Sequence, residues 1–198
     1  MIQVALIDRM GDDLSVVNAA RVSFSKVHLE METGDEKLIK YLADHNHWSP
    51  FAHTSLQFHI RAPIFVARQL AKHQVGLVWN EVSRRYVSDD PSFYIPEEWR
   101  GSPEDKKQGS SDKIIDINKH NLMNDPYQVL VKKCLWTYQH LLELGVAPEQ
   151  ARMVLPQSAY TEWYWTGSLY AFSRVCKLRQ ADDAQAETRH VADQISER

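Results

Sequence analysis

The chain has 198 residues, 43% of them hydrophobic and 25% charged, enough to bury a full core and to form one domain spanning 1–198. Its formal net charge of -3 argues against a general nucleic-acid binder, which needs a basic excess over a whole face, but leaves room for a small anion at one basic patch. Cys134 and Cys176 form no CxxC and sit in apolar helical patterns, so buried free thiols and a reducing compartment are expected. Met1 to Asp8 carries no basic leader, and no run approaches the roughly 18 apolar residues of a membrane helix. A soluble, cytoplasmic protein with no membrane partner is therefore expected, in the host cytosol if the source is viral.

Ile2 to Ile7 is short and β-rich, which predicts an opening strand. A turn at Gly11-Asp12-Asp13 follows, with Asp13 placed to cap a helix beginning near Leu14. Lys26 to Thr33 reads as loop. A second helix runs from Asp35, with Leu38, Ile39 and Leu42 on its buried face, and ends near His45. Pro50 breaks the pattern, since it pushes Ser49 out of the helical region. From Thr54 to Arg61, Leu56, Phe58 and Ile60 alternate with Ser55, Gln57 and His59, the period-two pattern of a half-buried strand.

Pro63 to Tyr86 carries polar residues too many and too well aligned for a packing element. Pro63 suits the first turn of a helix. Wound at about 100° per residue, Arg68, Gln69, Lys72 and His73 share one arc, with Phe65 intruding among them. Ile64, Val66, Ala67, Leu70 and Ala71 occupy most of the other. The helical pattern is expected to stop at Gly76, and a turn carrying Asn80, Glu81, Ser83, Arg84 and Arg85 follows. Between Arg61 and Arg85 five Lys or Arg face one acid, Glu81, a local formal charge of +4. That charge suits an anion.

Residues 87–96 predict a short extended piece containing Phe93, Tyr94 and Ile95. Residues 97–125, rich in Gly, Ser and Pro among charges, read as a candidate mobile loop, interrupted by a helical piece around Ile114 to Asn121. From Pro126 to Leu144 the set Val129, Leu130, Cys134, Leu135, Tyr138, Leu141 and Leu142 predicts a long amphipathic helix stopped by Gly145. A short helix lies between Pro148 and Pro156, Ala159 to Thr166 is extended, and helices follow over Leu169 to Leu178 and from Ala184. Six Trp and eight Tyr, with Trp163, Tyr164 and Trp165 consecutive, point to core and interface surfaces.

Nine histidines invite a metal reading, but no HExxH or Cys/His quartet assembles, and no metal is expected. Neither cysteine sits in a nucleophile elbow, no Ser is flanked as in G-x-S-x-G, and neither GxGxxG nor GxxxxGK[ST] occurs. Arginine-based anion binding with hydrogen-bonding side chains remains. Arg85 and Arg152 suit a phosphate because a guanidinium stays charged and offers a planar fork of donors; taken singly, a surface ion pair or helix-end partner is the commoner role for either.

The stretch from Ala62 to Tyr86, Ala-Arg-Val-Ser-Phe at 20–24, Val-Leu-Pro at 154–156, and Leu178-Arg179 followed by Ala184-Gln185-x-Glu187 resemble the flavin-dependent thymidylate synthases, in that family's order and over nearly the whole chain. The family signature, Arg-His-Arg, seven residues, then Ser, stands here as Lys72-His73-Gln74, eight residues, then Ser83. Lys72 keeps a charge without the bidentate geometry, and Gln74 loses the charge. Ala52 replaces an acid, and Ser168 to Arg174 do not reproduce the family's flavin contacts.

The resemblance implies an α/β fold of the α+β type, with a mixed, largely antiparallel sheet flanked by helices. It implies bound FAD, with NADPH as reductant and methylenetetrahydrofolate as carbon donor, converting dUMP to dTMP by passage of the methylene carbon and a hydride through the flavin. It places Gln69, Lys72, Glu81, Ser83, Arg84, Arg85, Arg152 and Arg179 at dUMP, with Arg179 the catalytic group that polarises the uracil. It places Ser23, Ser49, Lys72, His73, Gln74, Asn80 and Glu81 at the flavin, in sites shared between subunits of a homotetramer. Two other readings stand beside it: a flavin- or nucleotide-binding homologue with altered catalysis through Lys72 and Gln74, and an RNA-binding module.

Overall fold

The computed structural model describes residues 1–87, 89–104, 109–117 and 125–198. Its centre is a four-stranded sheet in the order β1-β2-β4-β3, built from β1 (Gln3–Met10), β2 (Ser55–Pro63), β3 (Leu77–Glu81) and β4 (Tyr160–Ser168). All three pairings are antiparallel. Helices α1 (Asp13–Arg21), α2 (Asp35–Asp44), α3 (Ile64–Leu70), α4 (Pro126–Glu143), α5 (Pro148–Ala151), α6 (Leu169–Arg179) and α7 (Ala186–Ser196) surround it. The expected α+β architecture is the one observed. No described helix is long and apolar enough to cross a membrane.

The predicted alternation in β2 has its cause in one apolar layer. Phe58 and Ile60 from β2 join Val4 from β1 and Trp163 and Trp165 from β4 in a core closed by Val66 and Leu70 of α3, Phe172 and Val175 of α6, and Val191 and Ile195 of α7. Phe172 meets Phe58 edge-on at 4.9 Å and Trp165 edge-on at 5.2 Å. Trp79 of β3 stacks on Trp163 at 4.4 Å. The opposite face presents His59, Arg61 and Glu162, joined as His59–Glu162 (3.3 Å) and Arg61–Glu162 (3.2 Å).

Several local expectations change. Asp12 rather than Asp13 caps α1: its carboxylate accepts from Ser15 N at 3.0 Å, and Ser15 Oγ accepts from Asp12 N at 3.2 Å, a reciprocal pair of the capping-box type. In α2 only Leu42 of the three expected apolar residues is fully buried, and the fully buried residue of the first turn is Asp35. Its carboxylate takes hydrogen bonds from Arg21 (2.6 Å) and Glu32 N (2.9 Å) and pairs with His28 Nδ1 at 2.8 Å. Among residues 97–125, the described part is held by a bridge between Arg100 and Ile114, with Gly101 N donating to Lys113 O at 2.7 Å and Ile115 N to Trp99 O at 2.7 Å. The helical piece expected around Ile114 is a bridge and turn as far as Ile117, and its remainder lies outside the described residues. Helix α4 forms at the expected place, but it buries Val131 and Tyr138 and exposes Val129, Leu130 and Trp136. The cysteines are unpaired and half-buried rather than fully buried.

Helix α3 starts where Pro63 turns the chain out of β2, and its first N–H groups are satisfied from across the sheet. Ile64 N donates to Ala159 O at 2.9 Å and Phe65 N to Gln157 O at 3.0 Å. It ends at Leu70, well before Gly76, so Lys72 and His73 do not continue its polar face. The chain must leave the helix there to bring Leu77 opposite Gly167 and begin β3. A Cβ at Gly167 would lie 2.5 Å from the carbonyl oxygen of Gly76, and Gly76 itself has φ +75. Both glycines are required by this close crossing.

Candidate active site

The C-terminal end of α3 opens into a cleft of about 810 Å³ lined by residues from α2, the loop after it, the α3–β3 link and α6. Lys72, His73 and Gln74 line one wall, as the sequence places them together. Arg174 and Lys177 of α6 line the other. Among the lining residues there are three Lys or Arg, Lys72, Arg174 and Lys177, and no Asp or Glu. Trp48 and Tyr170 supply an aromatic surface, their ring centroids 5.7 Å apart, with Arg174 5.9 Å from the Tyr170 ring centre. A cleft combining an uncompensated positive field with flat apolar rings suits an anionic ligand that carries a planar ring system.

Arg179 does not line the cleft but bonds to His73, which does. Its Nε donates to His73 Nε2 at 2.9 Å and its Nη2 to the Gln69 carbonyl at 3.2 Å. The guanidinium is thereby fixed against the last turn of α3, whose carbonyl end favours a cation. Since Nε carries a hydrogen, His73 Nε2 must be the bare nitrogen and the ring proton must sit on Nδ1. Burial, then the charges of Arg179 and Arg174, push the His73 imidazole below its ordinary value, which keeps it neutral and able to accept. Burial also lowers Arg179, though a guanidinium stays charged at neutral pH.

A second cluster lies at the end of β3. The Asn80-to-Arg85 segment expected as one turn is split: Asn80 and Glu81 are the last residues of the strand, and the turn comes at 84–86. Glu81 accepts from Thr161 Oγ1 at 2.7 Å and Trp79 Nε1 at 3.2 Å. Arg85 donates through Nε to Ser83 Oγ at 3.2 Å and stacks 5.0 Å from the Tyr86 ring centre. Arg84 instead donates to the Asp89 carbonyl at 2.7 Å and pairs with its carboxylate at 3.4 Å.

The structure thus joins Lys72, His73 and Gln74 in the cleft, with Arg179 bonded to His73 and Gln69. Ser23, Ser49, Gln69, Asn80, Glu81, Ser83, Arg84, Arg85, Arg152 and Arg179 do not line that cleft. Ser49 lies in the chain between the lining residues Trp48 and Phe51, whereas Ser23 is exposed on the short helix after α1. Arg152 is exposed after α5, its Nε donating to the Glu149 carbonyl at 3.2 Å. Sequence reasoning missed Tyr170, Arg174 and Lys177. Their spacing of four and then three residues places them on one face of α6, a signal that was present but pointed to no partner. Among the described residues, no three His, Cys, Asp or Glu side chains are arranged to hold a metal ion.

Comparison with known proteins bears on this geometry. The family model described as thymidylate synthase complementing protein, Thy1, matches residues 5–198. The chain is 41% identical over 192 residues to the flavin-dependent thymidylate synthase of Kosmotoga olearia, covering 96% of this chain and 81% of that one. It is 42% identical over 194 residues to the flavin-dependent thymidylate synthase of Thermus thermophilus, covering 98% and 70%. The crystal structure of a UMP/dUMP methylase, PolB, from Streptomyces cacaoi bound with 5-Br dUMP superposes with a TM-score of 0.83 at 34% identity, covering all of this chain and 89% of that one. Its complex with 5-Br UMP gives a TM-score of 0.80 at 31% identity, covering all of this chain and 88% of that one. The chain belongs to the thymidylate synthase complementing protein family.

Proposed function

We propose that this protein is a flavin-dependent thymidylate synthase that methylates dUMP to dTMP, with methylenetetrahydrofolate as carbon donor and NADPH as reductant. The carrying observation is the acid-free cleft lined by Lys72, Arg174 and Lys177, with Arg179 anchored on its lining residue His73. These residues fit FAD: the cations answer its phosphates, and Trp48 and Tyr170 answer its rings. FAD, when bound there, would supply the redox and one-carbon transfer chemistry that side chains lack.

The chain's own residues bind and orient. In this reading Lys72, His73 and Gln74 hold the flavin together with Ser23, Ser49, Asn80 and Glu81, and Arg174 and Lys177 join them. Gln69, Lys72, Glu81, Ser83, Arg84, Arg85 and Arg152 receive dUMP. Arg179 keeps N–H groups beyond the two that bond His73 and Gln69, and directs them at uracil oxygen as negative charge develops there. Such preorganised donors contribute about 3 kcal/mol in a water-poor site. His73 holds the Arg179 plane without competing for its charge. The β3-end cluster and Arg152 lie outside the cleft of a single chain, which supports a site completed between subunits of a homotetramer. The exposed apolar residues of α4 support the same assembly. We place the enzyme in the cytoplasm.

The test uses purified protein loaded with FAD. The expected result is a yellow protein that bleaches on adding NADPH without oxygen and releases tritium from dUMP labelled at C5 when methylenetetrahydrofolate is present. A protein that cannot be loaded with FAD would overturn the reading. A yellow protein without tritium release would leave a flavin-binding homologue with altered catalysis.

A further inference from the structure

Behind Gln69 runs a chain of side-chain hydrogen bonds that ends on a buried carboxylate. Gln69 Nε2 donates to Oε1 of Gln185, in the loop before α7, and lies 3.5 Å from the Phe65 carbonyl. Gln185 Nε2 donates to Glu187 Oε2 at 3.0 Å. The Glu187 side chain, 7% exposed, accepts on Oε1 from Arg100 Nη2 at 2.6 Å and Tyr94 Oη at 3.1 Å. Residues from α3, the 94–100 segment and α7 therefore meet through a single polar path inside the protein.

The direction of this path follows from its end. An ionised carboxylate can only accept. Burial pushes Glu187 up, but the Arg100 hydrogen bond, its own backbone N–H and Gln185 hold it below the usual range, and Arg100 pairs with it directly. Gln185 must then turn its NH2 to Glu187 and its carbonyl to Gln69. Gln69 in turn must answer with its NH2, and its Oε1 has no donor among the described residues. An isolated amide presents either end to a ligand; this one has its choice made from behind.

We infer that Gln185 and Glu187 are positioning residues that lock Gln69 as a hydrogen-bond acceptor towards the nucleotide, so that the site demands a donor there. The inference rests on the proposed role of Gln69 at dUMP. The donor is the imide N3–H of uracil or a sugar hydroxyl. Cytosine, whose N3 is an acceptor, would be rejected by the first. Reversing the path is chemically simple. In Glu187→Gln the oxygen stays with Arg100 and Tyr94, the new NH2 faces Gln185, and both glutamines rotate, so Gln69 presents NH2 to the ligand. Gln185→Leu breaks the path and leaves Gln69 free to turn.

The experiment measures binding of dUMP, N3-methyl-dUMP, 2′,3′-dideoxy-UMP and dCMP to the FAD-loaded protein by calorimetry, with thermal unfolding as a check on folding. In the parent protein the analogue lacking the relevant donor should bind roughly five- to tenfold more weakly than dUMP, the worth of one hydrogen bond. Loss on N3-methylation identifies the base, and loss on removal of the 3′-hydroxyl identifies the sugar. Gln185→Leu should raise the KM for dUMP by a similar factor with kcat little changed, and shrink the analogue's penalty. Glu187→Gln should do the same, and where the base is the donor it should narrow the gap between dUMP and dCMP. If Gln69→Ala weakens dUMP binding while both relay variants keep the parent preferences, the inference is overturned and the role of Gln69 stands. If Gln69→Ala changes nothing, both fall together.

Discussion

Arg174→Gln separates an electrostatic flavin site from an incidental groove. Arg174 lines the cleft together with Lys72, beside the ring of Tyr170. A hydrogen bond from a charged donor to a phosphate is worth about 1.5–3 kcal/mol, and because Arg174 is exposed the lower end applies after solvent screening. About 1.5 kcal/mol is roughly tenfold in Kd. The assay is quenching of flavin fluorescence on titrating apoprotein into FAD at low and high salt. The variant should bind roughly tenfold more weakly and lose part of the salt dependence. A second signal is independent of flavin: the Arg174 charge is one of the causes, after burial and Arg179, that depress the His73 imidazole. Its NMR titration in Arg174→Gln should therefore move upward, towards 6.5. An unchanged FAD affinity together with an unmoved His73 titration would refute the cleft as a flavin site.

Three further outcomes follow from the geometry. His73 is depressed in the folded state, so its neutral form and its bond to Arg179 are intact above the ordinary pKa of 6.5 and are lost as pH falls below it. Stability and dUMP affinity should decline together there, and His73→Gln should flatten that limb; a variant with the parent profile would show that another group is responsible. Burial, above all, pushes the Cys176 thiol up to about 11, leaving little thiolate at neutral pH, so Cys176→Ser should keep turnover, as should Cys134→Ser, since Cys134 does not line the cleft; inactivity in either, with the fold preserved, would count against a mechanism without a protein nucleophile. Burial also raises Asp35, but the hydrogen bonds from Arg21, Glu32 N and His28 outweigh it and hold the carboxyl far below its ordinary 3.8. That stability is present above about pH 4 and lost as pH falls, so Asp35→Asn should lower the urea midpoint at pH 7 and match the parent more closely in acid, whereas equal midpoints at pH 7 would show the network to be idle.

One wall of the cleft could be read from the chain because Lys72, His73 and Gln74 are consecutive residues that the fold brings to it together. Asn80 to Arg85 are equally compact in sequence, yet they form a separate cluster at the end of β3. The strand β2 and the start of α3 were equally legible, since alternation and Pro63 are local signals. The end of α3 was not. Periodicity carried the helix on through His73, whereas pairing of Leu77 with Gly167, close to ninety residues away, pulled the chain out of it at Leu70. The same limit hid Arg174 and Lys177: one face of α6 is visible in the sequence, but not the wall it faces. It also hid the path from Gln69 through Gln185 to Glu187, although Gln185-x-Glu187 is plain to see. Local pattern determines which residues share a face, because backbone geometry fixes side-chain direction over a few residues. What that face meets, and therefore which arginine is anchored and which amide is turned, is decided only when distant segments pack.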